Sequence, residues 1–401
     1  MKPQELAVVR AELLAFAGEM FTPFARADQR RWAEIYLRGL MVDGRRKSIE
    51  PMAARLADGD EQCLQQFVNQ SPWEVEPVRQ RLARRMVDEL APLALIVDDT
   101  GFPKAGRYSV GVARQYSGTL GKVGNCQIGV SVSAASEQAS CPLDWRLFLP
   151  EAWDADEERR AKGHLPAEER HREKWRLALE MIDELRSWGV VTPPIVADAG
   201  YGEISAFRLA LEDRGLAYVV EVTGTTSAYD LAVAAEQPPW CGSGRPPARR
   251  YRQAPSSLRA LALAARPAAA HKIAWREGSR GTMRSRFLHL RCRPANIGLR
   301  RAHREALPAA WLLAEWPVGA AEPVKYWLAN LPAQTGLAAL VRLAKLRWRI
   351  ELDYREMKDA LGLDHFEGRS FRGWHHHVTL VSLAHGFLTL QRLSPKAHAP
   401  V

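Results

Sequence analysis

Twice along this chain a short apolar run closes on an acidic residue. Leu95-Ile96-Val97 leads into Asp98-Asp99-Thr100-Gly101, and Pro194-Ile195-Val196-Ala197 leads into Asp198. Apolar runs this short, bounded by polar residues, suit buried strands better than helices. Strands that alternate with helical periodicity build an α/β core, and such sheets set functional groups at the carboxyl ends of their strands. The pattern therefore predicts an α/β fold that delivers carboxylates at strand ends.

Four segments follow from the rest of the patterning. Residues 1–90 read as a helical domain, a candidate for sitting on DNA, with helices over Arg30 to Met41, Ser48 to Leu56 (Ser48 as N-cap), Asp60 to Val68 and Pro77 to Leu90. Residues 91–222 read as the first part of a catalytic core. Its expected strands are Leu95 to Val97, Tyr108 to Val112, Gln127 to Ala134, Leu143 to Leu149, Pro194 to Ala197 and Ala217 to Val222. Its expected helices are Ala167 to Trp188 and Ser205 to Arg214. Residues 223–320 read as a basic, β-rich insertion, with strands at Lys272 to Trp275 and Arg286 to Cys292; the strand at Ala310 to Glu315 reads as the core resuming. Residues 321–401 resume the core with a strand at Lys325 to Asn330, one long helix over Leu337 to Ala360 and an apolar helix over Val378 to Leu393.

Charge points to a polyanionic partner. The 401 residues carry 56 Lys plus Arg against 46 Asp plus Glu, a net +10. Neutralising phosphates releases counterions, so such an excess favours nucleic acid. The excess concentrates in residues 241–304, which hold fifteen Arg and one Lys but a single acid, Glu277. A surface this one-sided is costly to leave unpaired, and a DNA-facing insertion is the expectation. The five cysteines are scattered without a C-x-x-C pair, which excludes a disulfide framework or zinc ribbon and favours a reducing compartment. No leader-like apolar region opens the chain and no uncharged run reaches the roughly 18–20 residues of a membrane span, so a cytoplasmic protein with no membrane partner is expected.

Three acids stand out by context: Asp99, Asp198 and Glu351, the last within Leu346-Arg347-Trp348-Arg349-Ile350-Glu351. Two strand-borne carboxylates and one helix-borne carboxylate are the hard oxygen ligands that Mg²⁺ wants. Taken singly, an Asp after a strand is more often a turn or a helix cap.

The residues around these acids resemble a known family. Arg347-x3-Glu351-x6-Lys358 matches the Y-R-E-K signature of the DDE transposases of bacterial insertion sequences, although the position of the signature's tyrosine holds Ala344. Asp98-Asp99-Thr100-Gly101-Phe102-Pro103-Lys104 resembles the family's first-Asp strand, which favours Asp99 over Asp98. Ala197-Asp198-Ala199-Gly200-Tyr201-Gly202 resembles the second-Asp motif. The acids are separated by 99 and 153 residues, and the second gap has room for an inserted domain.

The resemblance implies an RNase H-like catalytic core with a helical N-terminal domain and a β-rich basic insertion. It implies that Asp99, Asp198 and Glu351 are catalytic and hold two Mg²⁺ ions, with Mn²⁺ able to substitute. The implied reaction is hydrolysis of a phosphodiester at transposon ends, then strand transfer into target DNA. The implied partners are double-stranded DNA and a second copy of the chain, at the nucleoid. Arg347 and Lys358 are expected on the helix of Glu351, on one face, as phosphate-binding cations; an i,i+4 ion pair is the alternative for Arg347.

Weaker signals remain. The glycine-rich stretch Gly106 to Gly124 carries Arg107, Arg114, Tyr116 and Lys122, and Arg114 and Lys122 are expected to contact DNA. His375-His376-His377 reads as structural or DNA-facing, because adjacent side chains diverge. Trp316 and Trp327 read as core residues rather than base-stacking platforms. The competing functions are a transposase-derived DNA-binding protein without catalysis, a nuclease that never joins strands, and, least suited to an Arg-rich insertion, a two-carboxylate glycosidase.

Overall fold

The structure is a computed structural model that describes residues 3–245, 247, 250–278, 281–295 and 307–394. Arg249, Arg280, Arg300, Arg301 and Arg304 of the basic stretch lie outside the described residues. The chain forms two compact units, Met1–Val191 with Trp348–Val401, and Thr192–Arg347.

The first unit opens with helices α1 (Pro3–Met20), α2 (Ala27–Met41), α3 (Ile49–Ala53), α4 (Glu61–Asn69) and α5 (Glu76–Leu90). Local chemistry explains their starts. The Asp60 carboxylate accepts from the Cys63 amide at 2.7 Å and caps α4. Pro77 lies in the first turn of α5, where its missing N–H costs nothing. Ser48 takes the N-cap position of α3, but without a side-chain cap bond.

Strands β1 (Ala94–Pro103), β2 (Ala113–Ser117), β3 (Lys122–Ala135) and β4 (Ser140–Phe148) follow. All pairings are antiparallel: β3 carries β1 on one edge, and β2 and then β4 on the other. β1 does not stop at its aspartates. It stays in register with β3 through Pro103, so Asp99 sits mid-strand opposite Val130 rather than at a strand end. The strand expected at Tyr108 to Val112 is absent. Side chains satisfy its backbone instead: the Gln127 amide donates to the Val110 carbonyl at 2.6 Å and the Trp153 indole to the Val112 carbonyl at 2.9 Å.

Next come α6 (Glu157–Lys162) and α7 (Lys174–Ser187). The helix expected from Ala167 starts seven residues later. The intervening segment is held by tertiary bonds, since the His171 amide donates to Asp154 at 3.0 Å and Arg172 pairs with Glu169 and Glu180.

The second unit contains β5 (Ile195–Ala197), α8 (Ala199–Gly202), α9 (Ser205–Asp213), β6 (Tyr218–Val222), β7 (Ser227–Asp230), β8 (Ser256–Ser257), α10 (Leu258–Ala265), β9 (His271–Gly278), β10 (Gly281–Pro294), β11 (Ala310–Glu315), β12 (Lys325–Ala329) and α11 (Leu337–Lys345). β5 runs parallel to β6, and β6, β12, β11 and β10 continue antiparallel. β10 is long enough to pair with β9 at one end and β7 at the other.

The chain then returns to the first unit with α12 (Trp348–Asp359) and α13 (Phe371–Leu393). The single helix expected over Leu337 to Ala360 is therefore two. The break at Leu346–Arg347 has neither Gly nor Pro; it coincides with the passage from one unit to the other, and the Leu346 amide closes α11 on Leu343 at 3.0 Å. α13 is buried on most sides, against β4, α2, α4 and α5, and its buried polar side chains are largely taken up in hydrogen bonds. Gly129 lets it approach the sheet: a Cβ there would lie 2.9 Å from the Phe102 and Trp374 rings. Buried Arg79 ties these layers together, donating to Asp144 at 2.8 Å, to the Trp145 carbonyl at 2.8 Å and to Thr379 at 2.8 Å.

Candidate active site

In the first unit the site is built on β1. Successive strand side chains alternate between faces, so Asp98 and Asp99 point opposite ways. Asp98 is buried, and its carboxylate accepts from the Asp99 amide at 2.7 Å. Asp99 is the accessible one, with 26% of its side chain exposed, and its Oδ2 accepts from the Lys174 ammonium at 2.9 Å. Sequence reading missed Lys174, the first residue of α7. Nothing in its neighbours marks it; only the packing of α7 on β3 and β4 brings it to Asp99.

Helix α12 supplies the second acid. Glu351, Tyr354 and Lys358 follow each other at i, i+3 and i+7, which places them along one stripe. Two of the three dock that stripe. The Tyr354 hydroxyl lies 2.7 Å from the Ser131 hydroxyl on β3. The Lys358 ammonium donates to the Thr100 hydroxyl at 2.8 Å, the Gly101 carbonyl at 2.8 Å and the Thr119 hydroxyl at 2.9 Å. The sheet side of α12 is thus fixed on the face of β1 that carries Thr100 and Asp98, with Glu351 exposed at its N-terminal end, while Asp99 points to the other face, towards α7.

Lys358, expected as a phosphate-binding cation, is held by the chain itself. All three N–H donors of its ammonium are engaged within the chain, and burial lowers its pKa despite Asp364 and Asp359. Thr119, at the tip of the β2–β3 hairpin, donates in turn to the Gly101 carbonyl at 3.3 Å. Gly101 is required here, because a Cβ would collide with the Ser117 hydroxyl. Arg114 and Lys122 are exposed on this hairpin, as is Tyr116 opposite Val123.

Asp198 and Arg347 belong to the second unit. Asp198 follows β5 as expected, and it also does what a capping Asp does: its Oδ1 accepts from the Gly200 amide at 2.9 Å. Gly202 keeps α8 tight on β6, since a Cβ would strike the Glu221 carbonyl oxygen. Arg347 lies in the break before α12 rather than on the helix of Glu351, where it was expected.

The remaining candidates are structural. His376 stacks on Trp73 with centroids 3.7 Å apart, and His375 and His377 are buried beside it. Trp316 and Trp327 are 2% and 3% exposed, which makes both core residues. Among the described residues no three His, Cys, Asp or Glu side chains are gathered as a metal cage. The carboxylates present are nonetheless hard oxygen donors of the type Mg²⁺ takes, and the Lys174 ammonium shows Asp99 already holding a cation.

A family profile described as DDE superfamily endonuclease matches residues 19–282. The chain belongs to this family. The DDE superfamily has an RNase H-like core, and the mixed α/β architecture accords with it. The matched span contains Asp99, Lys174 and Asp198, and it ends before Glu351. The chain is also 29% identical over 187 residues to a Microchaete diplosiphon protein described as "Probable transposase for insertion sequence element IS701". That match spans 46% of this chain and 46% of the relative. No helix among the described residues is long and apolar enough to cross a membrane.

Proposed function

We propose that this DDE endonuclease is a transposase that cuts DNA at element ends and joins the freed 3′-hydroxyl to target DNA. The observation that carries the reading is the docking of α12: Lys358 and Tyr354 pin the Glu351 helix onto β3 and onto β1, the strand that bears Asp98 and Asp99. Asp198, at the end of β5, supplies the third carboxylate of the proposed set.

In this reading Asp99, Asp198 and Glu351 hold two Mg²⁺ ions, or Mn²⁺ in their place. When bound, the ions supply Lewis acidity at the attacking and leaving oxygens. The chain's own residues position and neutralise. Lys358 braces the Glu351 helix. Arg347 contacts phosphate from the break before α12. Arg114 and Lys122 hold the DNA backbone from the β2–β3 hairpin. Cutting two ends together asks for two copies of the chain on double-stranded DNA.

The test is cleavage of supercoiled, end-containing DNA with Mg²⁺ or Mn²⁺ by wild type, Asp99→Asn, Asp198→Asn and Glu351→Ala. Wild type is expected to nick the DNA and to join 3′-hydroxyl ends, and each variant to bind DNA while losing at least about a hundredfold in rate. Variants that cut like wild type would remove the assigned acids. Cutting without joining would leave a nuclease, and binding without cutting a DNA-binding protein.

A further inference from the structure

We propose that Tyr116 is a stacking platform for an unpaired base of DNA, with Arg114 on a phosphate of the same strand. The inference rests on the reading of this chain as a protein that cuts DNA, and it names a residue that grips one strand. Its own evidence lies entirely within the first unit. Tyr116 is 64% exposed on the β2–β3 hairpin, and Val123, its cross-strand partner, is 51% exposed. Arg114 precedes Tyr116 by two residues, so it shares that face at about 6.6 Å along the strand, the scale of one nucleotide. Residues 113–125 contain Arg114 and Lys122 and no acid. Among the described residues, neither cation's side chain is taken up in a hydrogen bond or an ion pair.

Charge selects the occupant. An aromatic ring in water beside unpaired cations fits a partner that is both flat and anionic, which is what a base and its phosphate offer. A second copy of the same hairpin would instead bring like charges together. Register places the ring usefully. On β3, Val123, Asn125, Gln127, Gly129 and Ser131 share one face, and Ser131 is where Tyr354 docks the Glu351 helix. Tyr116 and Arg114, opposite Val123 and Asn125, therefore belong to the face that carries that helix. The hairpin is also held in place beforehand. The Asn125 amide donates to the carbonyls of Lys104 at 2.6 Å and Gly106 at 2.8 Å, the Gln115 amide to the Cys126 carbonyl at 3.0 Å, and Lys358 to Thr119 at 2.9 Å. A fixed backbone under an exposed ring lowers the ordering cost of binding.

The test is binding of the full chain, without divalent metal, to a short oligothymidylate and to the same strand fully paired with oligodeoxyadenylate. Wild type, Tyr116→Ala, Tyr116→Phe and Arg114→Ala are compared. Tyr116→Ala is expected to lose on the order of tenfold in affinity for the single strand, to bind the duplex as wild type does, and to keep the wild-type salt slope. Tyr116→Phe should bind like wild type, since the ring and not the hydroxyl stacks. Arg114→Ala should lower the single-strand salt slope by about 0.7. Iodouracil placed within the strand should crosslink to Tyr116 on irradiation. Wild-type single-strand affinity in Tyr116→Ala, equal losses on both DNA forms, a Phe variant as weak as the Ala variant, or a crosslink that maps elsewhere overturns the platform and leaves the DNA reading standing. A wild type that binds neither form overturns the DNA reading, and the platform with it.

Discussion

At the scale of single residues, the neighbouring acids Asp98 and Asp99 show how tertiary context separates like from like. Strand alternation says that they diverge, but only pairing with β3 and packing of α7 show which one is accessible. The histidine row is a parallel case. Burial pushes His377 down to about 4 from the usual 6.5. It sits satisfied as a neutral ring, with Nε2 3.0 Å from the Gly362 carbonyl as donor and Nδ1 3.0 Å from the Tyr36 hydroxyl as acceptor. The unfolded chain protonates this residue first as pH falls. Its share of stability is therefore intact above pH 6.5 and drains away towards pH 4, an amount on the order of 3 kcal/mol. Urea midpoints measured between pH 7 and pH 4.5 should fall less steeply for His377→Gln than for wild type; identical slopes would remove His377 as a source of the acid sensitivity.

At the scale of elements, α5, β4 and α13 meet at a charge pair shut away from water. Asp144 is fully buried, and it accepts from Arg79 at 2.8 Å and from Arg146 at 2.9 Å. Removing one partner strands the other charge in a low-dielectric interior. Asp144→Ala should cost about 3–5 kcal/mol in urea unfolding, and the double change Arg79→Met with Asp144→Leu should recover much of it. A loss below about 1 kcal/mol would show that solvent reaches the pair. Helix α12 carries the other lesson at this scale. The spacing of Glu351 and Lys358 was legible as a motif, and the same helical arithmetic reaches Tyr354. The break before Trp348 was not legible, because no residue there prefers to end a helix; the change of unit ends it.

At the scale of the whole molecule, the proposed encounter with DNA turns on charge. In that proposal the net +10 supplies a long-range attraction, and the exposed Arg114 and Lys122 of the β2–β3 hairpin make it local. Each phosphate contact adds about 0.9 to the slope of log K against log salt. The double variant Arg114→Ala with Lys122→Ala should lower that slope by about 2, and equally for DNA of any sequence. An unchanged slope would take the hairpin off the DNA. The candidate acids are distributed over both units, Asp99 and Glu351 in one and Asp198 in the other, so the chain order of the motifs says little about how each acid is held.

What the sequence by itself determined was periodic or chemical. It contained the α/β class, most strands and helices, the basic excess, and the three acids with their flanking motifs, because alternation, apolar runs and charge are properties of neighbours along the chain. The tertiary structure alone decided that β1 runs on past its aspartates, that the helix breaks at Arg347, that Lys358 bonds to Thr100, Gly101 and Thr119, and that Lys174 meets Asp99. Each of these depends on a partner dozens to hundreds of residues away, and no local preference encodes which distant group will satisfy a buried donor or a half-exposed carboxylate.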